Sequence, residues 1–100
     1  MRVAIASKGG DENSEVSEVA GRAPYYLIFE EGKLVKVIKN PFRMGGGGAG
    51  FGVAEMLSDE KVDVVISGRF GPNMVRALQS KGIRYIEVQE ISVKEALEKV

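Results

Sequence analysis

Short apolar runs and helical repeats alternate along the 100 residues of the chain. The apolar runs at 2–6, 62–67 and 83–88 predict short buried strands. Aromatic and β-branched residues at 25–29, a Glu-Gly turn and an apolar run at 33–39 predict a hairpin. Lysines recur along the second hairpin strand, which is typical of an edge strand because charge discourages further pairing.

Three helices follow from the spacing of apolar residues. Small and apolar residues recur at i, i+3, i+4 and i+7 from Gly50 and again from Gly71, which indicates one buried face in each helix. Pro72 suits the first position of the second helix. Ser92 and Glu95 form a capping box that predicts a third helix, with its apolar face running on to the C-terminus.

The order β-β-β-α-β-α-β-α predicts one α/β domain over residues 1–100. Strand–helix–strand connections join parallel strands, so the simplest arrangement is a five-stranded mixed sheet of order 3-2-1-4-5 in which only strand 2 is antiparallel. Four strands then end at one edge, and the segments that leave this edge are expected to converge: 7–24, 40–52, 67–72 and 89–92. Ligands of open α/β sheets bind at this carboxyl edge.

Composition excludes several classes of chemistry. Fourteen basic residues balance fourteen acidic ones, so no net charge attracts nucleic acid or a membrane surface. The chain has no cysteine and no histidine, which excludes disulfides, thiolate ligands and imidazole catalysis. No apolar stretch approaches the length of a bilayer, and no signal peptide precedes the first strand. We therefore expect a cytoplasmic protein with neither a nucleic-acid nor a membrane partner.

The run FRMGGGGAGFG at 42–52 holds six of the 13 glycines. Glycine lowers stability, so such a run needs a reason, and close approach of backbone to a ligand is one. Unpaired N–H groups at helix N-termini favour an anion, and arginines add fixed charge. The candidate ligand-binding residues are Arg43, Gly45, Gly46, Gly47, Gly48, Gly68, Arg69 and Gly71. A flexible connection, a tight strand-to-helix turn and solvated arginines remain the alternatives.

Enzyme motifs are missing. The glycines match neither G-x-x-x-x-G-K-[ST] nor a dinucleotide-binding loop, which should follow the first strand. A magnesium-dependent nuclease needs carboxylates on the central strands. The first strand, V-A-I-A, supplies none. The sequence therefore predicts a protein without catalytic residues.

Four landmarks occur in order: V-A-I-A, G-R-A-P-Y-Y-L-I-F-E, N-P…G-x-G, and D-V-V-I-S-G-R-F-G-P-N-M-V-R-A-L-Q-S-K-G-I. Over nearly the whole chain this resembles the dinitrogenase iron–molybdenum cofactor biosynthesis family, with its NifX-like proteins and the C-terminal domain of NifB. The resemblance implies an RNase H-like fold and a non-catalytic carrier of iron–sulfur or iron–molybdenum cofactor precursors, with a cluster-biosynthesis protein as partner. Carried over by position, the resemblance implies a pocket lined by Gly21, Arg22, the 40–52 loop and residues 68–73. This adds Arg22 and Asn73 to the candidates.

The chain departs from this resemblance in one respect that concerns chemistry. Many relatives carry a histidine or cysteine near the loop that spans 43–48 here, and this chain has neither. A cluster would be held by backbone N–H groups, by arginines or by ligands that it brings with it. A phosphate- or nucleotide-binding domain, or a protein-interaction module in a cell without nitrogenase, is the alternative function.

Overall fold

The structure, a computed structural model, describes residues 1–44 and 48–100. Along the chain the elements are β1 (Arg2–Ser7), a 3₁₀ turn (Ala20–Arg22), β2 (Tyr25–Glu30), β3 (Lys33–Lys39), α1 (Ala49–Asp59), β4 (Val64–Ser67), α2 (Pro72–Ser80), β5 (Arg84–Glu87) and α3 (Val93–Leu97). Within these two ranges no helix has the length and apolar character needed to cross a bilayer.

The five strands form one mixed sheet of order β3-β2-β1-β4-β5. β1 is parallel to β4, β4 is parallel to β5, and β2 is antiparallel to both of its neighbours. The hairpin turns at Glu31 and Gly32, whose φ angles of 51° and 77° both lie in the left-handed region, as a type I′ turn requires. The predicted order and the single antiparallel strand are therefore confirmed.

Helices cover the two faces of the sheet unequally. α1 and α2 pack on one face, where Tyr26 and Ile28 of β2 meet Leu57 and Leu78 in the larger core. α3 packs on the opposite face, over a smaller core that contains Leu27 and Phe29 of β2 together with Val3, Ile5, Val93 and Ala96. Alternation along β2 sends successive side chains to opposite faces. α2 and α3 thus leave adjacent strands toward opposite faces.

Residues 7–24 contain more structure than their polar composition predicts. Val16 forms an isolated bridge with Ser7, and the Ser17 N–H donates to the Ala6 carbonyl at 2.8 Å. The 3₁₀ turn closes the segment, and the Ala20 N–H donates to the Arg69 carbonyl at 2.8 Å. Tertiary hydrogen bonds therefore fix a segment whose sequence lacks a periodic pattern.

The last helix is shorter than the sequence predicts. α3 ends at Leu97, and Val100 lies beyond it with 40% of its surface exposed. The sequence analysis predicted an apolar face that runs on to the C-terminus, and this prediction is wrong. The capping box is confirmed, because the Ser92 hydroxyl accepts from the Glu95 N–H at 3.1 Å and the Glu95 carboxylate accepts from the Ser92 N–H at 3.0 Å.

Candidate anion-binding groove

The N-termini of α1 and α2 lie side by side at the carboxyl edge of the sheet. Gly50 is in the first turn of α1, and a Cβ atom built on it would lie 3.0 Å from the Cβ of Met74 and 3.3 Å from its backbone nitrogen. A side chain at position 50 would therefore push against the first turn of α2. Glycine at this position allows the two helices to begin in contact.

A groove of about 180 Å³ opens between these helix starts and the 3₁₀ turn. It is lined by Val19, Gly21, Arg22, Ala49, Gly50, Gly71, Pro72, Asn73 and Met74. Three of the segments that were expected to converge thus contribute to one concave surface. From the glycine run, the described residues that line the groove are Ala49 and Gly50.

The groove has the electrostatic character of an anion site. Gly48 and Gly71 are the N-cap residues of α1 and α2, so neither helix has a capping side chain. The first N–H groups of each helix have no acceptor inside the helix, and each N-terminus carries a partial positive charge. Two such ends in contact repel each other until an anion, or water, neutralises them.

The groove lining carries one formal charge among the described residues, the guanidinium of Arg22. Glu18, one position before Val19, is exposed and lines the neighbouring cavity. The positive character of the groove therefore comes from Arg22 and from the partial charges of the two helix N-termini.

Buried hydrogen bonds hold the 3₁₀ turn against the groove. The hydroxyl of Tyr26, whose side chain is fully buried, donates to the Ala20 carbonyl. Burial raises the pKa of this hydroxyl well above its ordinary value, so it remains a donor at physiological pH. The anchor fixes the backbone next to Arg22, whose side chain is exposed at the end of the turn.

Asn40 is a positioning residue that the sequence analysis included in the 40–52 loop but did not single out. Only 7% of it is exposed, and its side-chain amide donates to the Gly21 carbonyl at 3.2 Å while its side-chain oxygen accepts from the Phe42 N–H at 2.9 Å. It thereby links the 3₁₀ turn to the start of the glycine-rich loop. The Asn40-Pro41 pair, which favours turn initiation, was the signal that could have identified it.

Phe42 is a second anchor of this loop. Its ring lies against α1, where a Cβ atom on Gly52 would come within 2.5 Å of it. The close packing explains why the glycine run includes position 52, which lies inside the helix. One glycine of the run is therefore required by an aromatic side chain and contributes nothing to a ligand directly.

The structure does not bring all of the predicted site residues together. Arg22, Gly71 and Asn73 line the groove, and Gly48 caps the helix that borders it. Arg43 is exposed in the turn before the glycines, outside the groove lining. Gly68 and Arg69 line a second, larger cavity. Gly45, Gly46 and Gly47 lie outside the described residues.

Gly68 has a structural role in this arrangement. A Cβ atom there would lie 2.6 Å from the carbonyl oxygen of Glu18 and 2.7 Å from its Cα. Its N–H group donates to the Ser17 carbonyl at 2.8 Å, so this donor is already engaged within the protein. The position requires glycine because two backbone segments cross in contact.

The groove suits outer-sphere binding better than direct metal ligation. The chain has no cysteine or histidine, and no group of three or more carboxylates in the described ranges could hold a metal ion. Met74, the thioether in the groove lining, is 98% buried in the core, with 2% exposed. The donors among the described residues of the lining are backbone N–H groups, the Asn73 amide and the Arg22 guanidinium, groups that bind anions through hydrogen bonds.

A five-stranded mixed sheet whose parallel strands lead into two adjoining helix N-termini defines a small α/β domain with its candidate site at the carboxyl edge. The sequence model of the dinitrogenase iron–molybdenum cofactor family matches residues 1–100. The chain belongs to this family, which confirms the resemblance found in its motifs.

Two solved structures agree with this assignment. The apo form of the orange protein from Desulfovibrio gigas is 25% identical, with a TM-score of 0.91 over 98% of this chain and 84% of that one. A Thermotoga protein provisionally described as a NifB protein is 32% identical, with a TM-score of 0.84 over 97% of this chain and 84% of that one. No curated protein sequence matches the chain. The structural likenesses confirm the α/β fold.

Proposed function

We propose that this chain is a non-catalytic carrier of a small anionic ligand, an iron–sulfur or iron–molybdenum cofactor-type cluster, bound in the groove between α1 and α2. The observation that supports this most directly is the contact between Gly50 and Met74, which places two glycine-capped helix N-termini at one surface. Both ends favour negative charge, and no acidic residue is among the described residues that line the groove.

The expected affinity is moderate. One helix N-terminus contributes about 0.3–1 kcal/mol to an exposed anion and up to about 2 when the site is partly buried. Two N-termini together approach the roughly 4 kcal/mol of a millimolar complex. Arg22, and Arg43 from the adjoining turn, would add charge-assisted hydrogen bonds that bring binding into the micromolar range. Such affinity suits a carrier, which has to release its ligand.

The ligand in this proposal keeps its own inner-sphere ligands. The chain offers no thiolate or imidazole, so sulfide, oxide or organic ligands would have to complete the coordination of each metal. The family assignment supports a cofactor-type cluster as the cargo.

The role that we propose is non-catalytic because of the residues that line the groove. Among the described residues that line the groove, Arg22 has the one ionisable side chain, and a guanidinium stays protonated in proteins. General acid–base chemistry requires a group that gives and takes a proton. A cluster-biosynthesis protein is the partner we propose for delivery or collection of the cargo.

Anaerobic reconstitution with iron, sulfide and molybdate, followed by desalting and metal analysis, tests the proposal. Gly71→Val is the principal variant: the φ angle of −71° accepts any residue, and a Cβ atom at this position meets no other atom within 4 Å. The fold should persist while the added methyl groups narrow the groove. Bound metal is expected to fall at least about tenfold, a loss equivalent to 1.4 kcal/mol.

Arg22→Gln supplies the charge test, and Arg84→Gln, at the opposite edge of the sheet, is its matched control. Arg22→Gln should lower bound metal severalfold, and Arg84→Gln should leave it unchanged. If the wild-type chain, Gly71→Val and Arg22→Gln retain equal amounts of metal, any cluster binds outside the groove. If inorganic phosphate raises the Tm while no metal is retained, the phosphate-binding alternative replaces the cluster.

A further inference from the structure

We infer that Ser17 and Ser67 are positioning residues of the proposed groove, and that they hold Arg22 in place through residues 16–20, an internal strap across the end of the sheet. The inference rests on the proposed function, because it concerns the affinity of the groove for an anion. Ser67 is fully buried, and only 6% of Ser17 is exposed. Neither serine is among the described residues that line the groove, so any effect on binding has to pass through the strap.

The strap fills the crevice in which open α/β sheets bind ligands. β1 and β4 are neighbours, and the chain continues from β1 to β2 on one side and from β4 to β5 on the other, so this crevice lies between their carboxyl ends. The Ser17 N–H donates to the Ala6 carbonyl of β1, and the Ser17 carbonyl accepts from the Gly68 N–H after β4, both at 2.8 Å. The strap therefore engages backbone groups that a ligand in this crevice would otherwise meet.

Ser67 adds a side-chain hydrogen bond to this crossing. β4 reads V-V-I-S, and all four residues are buried, so Ser67 is the one polar residue of the strand. A buried hydroxyl lowers stability unless it is hydrogen-bonded, and the Ser67 Oγ donates to the Ser17 carbonyl at 3.2 Å. The Ser17 hydroxyl in turn donates to the Val19 carbonyl at 3.3 Å. The two hydroxyls thus connect the end of β4 to the part of the strap that enters the groove.

The end of the strap carries one wall of the groove. Val19, Gly21 and Arg22 line it, and Ala20 begins the 3₁₀ turn between them. The Ala20 N–H donates at 2.8 Å to the carbonyl of Arg69, in the loop that leads into α2. The strap therefore fixes the position of Arg22 relative to the α2 N-terminus. Hydrogen bonds and helix-terminus fields both act at short range, so a shift of the strap by about 1 Å weakens the binding of an anion.

Ser67→Ala tests the inference. The variant removes one hydroxyl and keeps the Gly68 N–H bond to the same carbonyl, so the fold should persist. In titrations of the full chain with molybdate, followed by amide NMR shifts, its dissociation constant should be about two- to fivefold higher than that of wild type. Ser80→Ala is the matched control, because its hydroxyl also donates to a backbone carbonyl, that of Ala77 at 2.9 Å, at the C-terminal end of α2. It should leave the dissociation constant unchanged.

A double-mutant cycle separates positioning from a general loss of stability. Because Ser67 acts by placing Arg22, its removal should matter little once the guanidinium is gone. The Arg22→Gln, Ser67→Ala double variant should therefore bind molybdate about as weakly as Arg22→Gln alone. Losses that multiply would overturn the inference. Ser17→Ala keeps the backbone bonds of the strap and should give the same result, which provides a second variant if Ser67→Ala does not fold.

Hydrogen exchange of the ligand-free chain distinguishes this inference from the proposed function. Ser67→Ala should speed exchange of the Ala20 N–H severalfold, while amides of β2 should not change. If the wild-type chain shows no saturable shifts with molybdate, the anion site of the proposed function is contradicted, and exchange at Ala20 still decides whether the serines hold the strap. Unchanged exchange at Ala20 in both Ser67→Ala and Ser17→Ala would overturn the inference, whatever the wild-type chain binds.

Discussion

Replacement of Gly68 by alanine tests how closely the two loops at the carboxyl edge are packed. The added Cβ atom would lie 2.6 Å from the Glu18 carbonyl oxygen and 2.7 Å from its Cα, so the two backbones must separate by roughly 1 Å to reach ordinary contact. Hydrogen bonds resist this separation, because the Gly68 N–H and the Ser67 hydroxyl both donate to the Ser17 carbonyl, at 2.8 Å and 3.2 Å.

The magnitude follows from these contacts. Overpacking costs about 1–3 kcal/mol, and two weakened hydrogen bonds cost about 1–2 kcal/mol together. The lower chain entropy of alanine in the unfolded state offsets about 0.4–1 kcal/mol. The free energy of unfolding should therefore fall by about 2–4 kcal/mol. For a domain of this size, that lowers the Tm by roughly 10–25 °C.

Gly71→Ala is the matched control, three positions along the same loop. The added Cβ atom would have no neighbour within 4 Å. Alanine lowers the entropy of the unfolded chain, which roughly offsets its poorer capping of the helix, so the free energy of unfolding should stay within about 1 kcal/mol of wild type. Thermal unfolding followed by far-ultraviolet circular dichroism, with urea titration for the free energy, compares the two. A Gly68→Ala protein as stable as Gly71→Ala would refute the packing argument.

Two further predictions concern the anchor of the 3₁₀ turn and the start of α3. Tyr26→Phe leaves the Ala20 carbonyl without its hydroxyl donor and should lower the free energy of unfolding, measured by urea titration, by about 1 kcal/mol. Tyr25→Phe is the control. An equal loss of stability in both variants would contradict the role of this hydrogen bond. The pKa of Glu95 lies below its ordinary 4.5 because its carboxylate accepts the Ser92 N–H, so this stabilisation is present above pH 4.5 and lost as pH falls through the folded pKa. Glu95→Gln should thus have a lower Tm than wild type at pH 7, and the difference should shrink as the pH falls below 4.5. A difference in Tm that stays constant into acid would contradict this origin.

The amino-acid sequence by itself determined the order of the elements and the bounds of each strand to within two residues. Periodicity predicted each strand and helix, and the lysines of β3 correctly indicated an edge strand. The turn at Gly32 and the capping box at Ser92 were visible because they depend on residues that are neighbours in the chain. Sheet order followed from the connections, since parallel neighbours need a crossover and antiparallel ones a short turn.

Only the tertiary structure decided how the loop residues are divided between the two cavities. Gly68 and Gly71 are three residues apart, yet Gly68 is held against Glu18 and Gly71 opens onto the groove. Asn40 became a positioning residue because it meets Gly21, which lies 19 positions away. Local patterns record which backbone conformation a residue prefers, whereas these assignments depend on which distant segment lies against it once the sheet has formed.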